Sequence, residues 1–99
     1  MSYRLARLYI PKYPNTPVFQ MERRLAAAFG GYTLYPMCVG VWMNPDSQQL
    51  VQEGVNTYDV VIHGTKIDEE ALLAILMEYK QAANQHTVLY VLDNTPTFI

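Results

Sequence analysis

Thr16-Pro17-Val18-Phe19-Gln20-Met21-Glu22-Arg23-Arg24-Leu25-Ala26-Ala27-Ala28-Phe29-Gly30-Gly31-Tyr32-Thr33 carries a helix start and a helix stop in one segment. Thr16 offers a capping hydroxyl and Pro17 suits a first helical position. Val18, Met21, Leu25, Ala28 and Phe29 recur at helical spacing, while Gln20, Arg23, Arg24 and Ala27 fall on the other side. Gly30-Gly31 supplies the left-handed residue that ends such a helix. Upstream, Tyr3 to Ile10 is rich in aromatic and branched residues and reads as a strand, stopped by Pro11, Pro14 and Asn15. Downstream, Tyr32 to Met43 is extended, with a kink or bulge expected at Pro36, and Asn44-Pro45-Asp46-Ser47 makes a turn. The first half is therefore strand, helix, strand.

The second half repeats that order. Leu50 to His63 is extended and interrupted by Gly54, so it reads as one bent strand or two, with a bulge expected at Gly54. Asp68 is placed to cap a helix whose first turn carries Glu69 and Glu70, which suits the helix dipole. Leu72, Ile75, Leu76, Tyr79 and Ala83 form its apolar stripe. His86 to Asp93 is the last strand, and residues 94–99 are left as a short tail. The expected fold is α+β, a ferredoxin-like β-α-β-β-α-β sandwich over residues 1–99 as a single domain. It has an antiparallel sheet with two helices on one face.

Such a sheet leaves its other face open, and the strands do not make that face polar. In the first strand Leu5, Arg7 and Tyr9 oppose Ala6, Leu8 and Ile10; in the last, Thr87, Leu89 and Val91 oppose Val88, Tyr90 and Leu92. Composition points the same way. Of the 99 residues, 51% are hydrophobic and only 16% charged, below the roughly 25% of an average soluble domain. A core this small does not absorb that surplus, so a second copy of the chain, a ligand or both are expected on the open face.

Charge and cysteine content narrow the function. A net charge of −2 argues against binding a nucleic-acid polymer, which requires a basic face. Cys38 stands alone, so no internal disulfide and no structural zinc site is expected. No metal or cofactor is expected. The sequence predicts neither a secretory signal nor a membrane span, and a cytoplasmic setting follows.

The pattern Leu25-Ala26-Ala27-Ala28-Phe29-Gly30-Gly31-Tyr32-Thr33-Leu34, with Trp42 before a turn and then Tyr58-Asp59-Val60-Val61-Ile62, resembles short uncharacterised bacterial and phage proteins. These share a strand, a helix ending in Phe-Gly-Gly-Tyr-Thr, and a hairpin with a tryptophan. Some phage proteins of this size act as sponges for nucleotide signals of host immunity. The resemblance implies ligand sequestration without catalysis, in the cytoplasm of an infected host, and carries no binding residues with it.

The residues supply their own candidates. Eight tyrosines offer aromatic faces for stacking on a base, or serve sheet and subunit interfaces. Arg7, on an otherwise apolar face, is either paired with an acid across the sheet or set for an anion. The expected ligand is small, anionic and nucleotide-like. Its expected contacts are Arg7, Tyr9, Lys12, Tyr13, Trp42, Tyr58, His63 and Tyr90. No catalytic motif is complete. An enzyme would draw on His63, Asp59 and Tyr58, or on Cys38 near a histidine. A third reading is an assembly module docking through Leu73, Met77 and the Phe98-Ile99 tail.

Overall fold

The computed structural model describes residues 2–12 and 17–99. Its elements run β1 (Tyr3–Pro11), α1 (Val18–Phe29), β2 (Thr33–Met43), β3 (Leu50–His63), α2 (Lys66–Ala82), β4 (Leu89–Leu92) and β5 (Thr95–Phe98). The sheet order is β2-β3-β1-β4-β5, and all neighbouring strands are antiparallel. The first four strands and two helices make the ferredoxin-like sandwich, and β5 extends it by one edge.

The core lies between the helices and one sheet face, as period 2 in β1 requires. Ala6, Leu8 and Ile10 are fully buried with Tyr58, Val60 and Ile62 of β3. Met21 and Leu25 of α1 close over them, as do Leu72, Ile75, Leu76 and Tyr79 of α2. Ala28, placed by spacing on the apolar side of α1, is exposed. Gly30 ends α1 at φ +89°, donating its N–H to the Ala26 carbonyl at 2.9 Å.

The structure corrects three local expectations and decides between the two alternatives for Leu50 to His63. The cap of α2 is Thr65, whose hydroxyl accepts the Asp68 N–H at 3.2 Å. The Asp68 carboxylate instead accepts the backbone N–H of His63 at 2.8 Å. The bulge expected at Pro36 is present and the one expected at Gly54 is not: between Tyr35 and Cys38 the strand advances three residues while β3 advances two, from Thr57 to Val55. The segment from Leu50 to His63 is consequently one strand of 14 residues. Finally, residues 94–99 are not a free tail. Asp93 and Asn94 take φ of 53° and 62°, the left-handed pair of a tight hairpin turn, and Thr95–Phe98 returns along β4. Thr16, expected to cap α1, lies outside the described residues.

The far halves of β2 and β3 extend past the helices as an arm, which contributes to dimensions of 48 × 28 × 23 Å. On this arm Met37, Val39, Val41, Met43 and Leu50 are all exposed.

Candidate functional site

Four β-strand registers assemble one surface of side chains on the face away from the helices. Arg7 on β1 stands opposite Asp59 on β3, Tyr9 opposite Thr57, and Pro11 opposite Val55. Across β3, Tyr35 stands opposite Thr57, Cys38 opposite Val55, and Gly40 opposite Glu53. On the other flank Tyr9 meets Leu89, which meets Phe98 of β5. Residues opposite one another in a sheet project on the same face. Trp42 and the edges of Val39 and Val41 raise one wall; Gln85, His86, Thr87 and Phe98 raise the other. Together they bound a concave space of about 1080 Å³. That is the scale of a cofactor or nucleoside pocket, and its aromatic and aliphatic lining fits the same class.

The floor carries one closed ion pair. Arg7 donates through Nε to Asp59 Oδ1 at 2.7 Å and through Nη2 to Oδ2 at 2.9 Å. Tyr35 hydrogen-bonds the same carboxylate, and Tyr9 bonds Arg7. The Arg7 hydrogen bonds hold the Asp59 carboxyl below its ordinary range against the opposing effect of burial, and Asp59 in turn raises the Arg7 guanidinium further above its own. Between an acid partner and a waiting anion site, the structure chooses the partner. Glu53 and His86 supply further polar groups at the rim, and Cys38 Sγ is held at 3.6 Å from the Tyr35 carbonyl across the bulge.

Of the residues expected from sequence, Arg7, Tyr9 and Trp42 line this cavity. Lys12 is exposed just past the end of β1, where its N–H bonds the Gly54 carbonyl at 2.8 Å. Tyr58 and Tyr90 point to the helix side, with Tyr58 fully buried. His63 sits at the far end of β3, its Nδ1 3.0 Å from Asp68 and its ring 5.2 Å from that of Tyr3. Tyr13 lies outside the described residues. The trio His63, Asp59 and Tyr58 does not converge, because Tyr58 and Asp59 face opposite ways. Cys38 pairs with Val55, eight residues along β3 from His63, which is roughly 26 Å at strand rise.

Tyr35, Glu53, His86, Thr87, Leu89 and Phe98 were not among the expected contacts. Counting back from the hairpin turn pairs Gly40 with Glu53, and that register was the available signal. Phe98 depended on reading Asp93-Asn94 as a turn. Among the described residues no cluster of three or more His, Cys, Asp or Glu could hold a metal ion. None of their helices is long and apolar enough to cross a membrane.

No protein-family model matches the chain, and no curated protein matches it by sequence. Solved structures do match. A phage SAM lyase in complex with S-methyl-5'-thioadenosine superposes with a TM-score of 0.67 at 16% identity, covering 98% of this chain and 88% of that one. A phage SAM lyase in its apo state gives 0.61 at 16% identity, over 97% and 87%. The divalent ion tolerance protein CutA1 from Ehrlichia chaffeensis gives 0.58 at 9% identity, over 99% and 78%. At these identities the likeness is one of fold, and the chain shares with all three the ferredoxin-like sandwich derived above.

Proposed function

We propose that the chain is a non-catalytic binding protein that works as a homo-oligomer and holds a small nucleoside-like ligand on the open face of its sheet. The observation that carries this reading is the concave space walled by Tyr9, Tyr35 and Trp42 over the closed Arg7–Asp59 pair. Aromatic faces stack on a base, and the paired floor keeps the site neutral without leaving a charge unpartnered. The exposed apolar arm is the surface through which copies associate. The sharpest form of the proposal is a phage protein that sequesters a nucleotide-derived immune signal in its host's cytoplasm. A phage structure of the same fold, solved with a thioadenosine, supports it.

Native mass spectrometry of gently purified protein tests both halves together. The expected spectrum shows an oligomer carrying extra mass that is lost on denaturation. A monomer that stays bare after incubation with adenosine, S-methyl-5'-thioadenosine and cyclic dinucleotides would sink the proposal. The fold-wide likeness to a SAM lyase favours one second reading, an enzyme acting on SAM in the same cavity. Incubation with SAM separates the two: release of S-methyl-5'-thioadenosine shown by mass spectrometry supports the enzyme, and intact SAM supports the binder.

A further inference from the structure

On the helix side of the sheet, away from the cavity, a second polar cluster is built around Glu22 of α1. Tyr58 donates its hydroxyl to Glu22 Oε2 at 2.7 Å, and the Tyr32 hydroxyl bonds the same carboxylate. The two rings meet edge to face, with centroids 5.4 Å apart and planes at 66°. Asn56, two residues before Tyr58 on the same face of β3, hydrogen-bonds the Tyr58 hydroxyl. That hydroxyl already donates to Glu22, so it accepts from the Asn56 amide N–H. Asn56 Oδ1 is then left buried with no partner.

The cluster has acceptors to spare and no donor left for them. Glu22 is half-buried, and among the described residues no Lys, Arg or His pairs with it. The neighbouring arginines of α1 are engaged elsewhere: Arg24 with Glu78, and Arg23 over the Phe19 ring at 5.9 Å. A partly desolvated carboxylate without a cation and a buried carbonyl oxygen without a donor are both costly. One species satisfies both, a cation that carries N–H donors, and the partly exposed face of Tyr32 adds cation–π attraction. Glu22 and Tyr32 are half-buried, and Leu34, opposite Tyr58, is partly exposed, so the cluster opens to solvent.

We infer that Glu22, Asn56, Tyr32 and Tyr58 form a second binding site, distinct from the open-face cavity, for a small organic cation of the ammonium or guanidinium class. Glu22 supplies the charge and Asn56 Oδ1 fixes the orientation of an N–H. The two tyrosines hold the carboxylate in place.

The test is NMR titration of the intact chain with methylguanidinium chloride, with tetramethylammonium as a cation that lacks N–H donors. The expected result is a saturable shift of the Asn56 side-chain amide and the Tyr32 and Tyr58 ring signals. Tetramethylammonium should bind at least tenfold more weakly, and Glu22→Gln should weaken methylguanidinium binding at least tenfold. If Glu22→Gln does not fold, Glu22→Asp keeps the charge, withdraws it by one methylene, and should still weaken binding several-fold. The inference is overturned by the lack of any saturable shift, by equal response to both cations, by binding that survives loss of Glu22, or by shifts confined to Trp42 and the cavity.

Discussion

Replacing Met37 and Leu50 together by lysine should turn an oligomer into a monomer without unfolding it. Both lie on the arm beyond the helices, and neither contributes to the buried core. Met37 is 91% exposed, Leu50 70%, Val39 64%, Val41 54% and Met43 51%. Taken together, these amount to about three fully exposed side chains, worth roughly 5–10 kcal/mol per protomer if a second copy covers them. Two protomers contribute twice that, against roughly 4–15 kcal/mol for lost rigid-body freedom. At mid-range the surplus is about 5 kcal/mol, which sustains association with a Kd on the order of 100 μM. Met37 and Leu50 hold about half of the exposed total, so the double substitution removes roughly 2–5 kcal/mol per protomer and weakens association at least ~100-fold. Sedimentation velocity measures this directly, and circular dichroism confirms that the variant stays folded. A native protein that sediments as a monomer at about 1 mM would refute the reasoning, because it would leave this surface uncovered at a concentration where the estimate requires association.

Four further outcomes are expected. Tyr58→Phe removes a hydrogen bond to a carboxylate and strands the Asn56 amide; urea denaturation should show a loss of about 1.5–3 kcal/mol. Asp59 is held below its ordinary range in the folded state, so its pairing stabilises the protein fully above about pH 4 and is lost as pH falls through the lower folded value; Asp59→Asn should flatten the acid limb of a plot of urea midpoint against pH. Trp42→Ala should weaken nucleoside binding by calorimetry at least tenfold, in line with roughly 1–3 kcal/mol for stacking a base on an aromatic ring, whereas Tyr90→Phe, on the other face, should change it little. Gly30→Ala forces a Cβ into the left-handed region at φ +89° and should cost about 1 kcal/mol, read as a lower thermal midpoint.

The parts of the fold that rest on side-chain periodicity were legible in the sequence. The alternation of Ala6, Leu8 and Ile10 against Leu5, Arg7 and Tyr9 separated the two faces of β1, but with both faces largely apolar it was the structure that assigned the first set to the core. Gly30 ended α1 for a local reason. What escaped depended on partners distant in sequence. Whether Arg7 is free or paired turns on register with Asp59, 52 residues away. Tyr58 was read as a ligand contact because tyrosine suits a stacking face, but its parity on β3 commits it to the core and its hydroxyl to Glu22. Asp93-Asn94 lacks the glycine that usually marks a left-handed turn, so β5 and the Phe98 wall went unread. Thr65 and Asp68 both suit a helix start, and the choice between them rested on what else Asp68 could bind, which is His63.

The extra residue at Pro36–Met37 sets the phase of everything that follows it in β2. Before it, odd-numbered Tyr35 faces the cavity; after it, the even-numbered Cys38, Gly40 and Trp42 do. Deleting one residue there, with the hairpin unchanged, would make the ladder regular: Tyr35 stays opposite Thr57 and Cys38 opposite Val55, so both rows keep their faces. What the extra residue adds is a local bend and a stronger twist between the part of β2 beside the core and the arm that carries Trp42. A straightened β2 would therefore carry the Trp42 wall to a different angle over the cavity floor, so length at this point tunes the width of the cavity without exchanging one side chain in its lining.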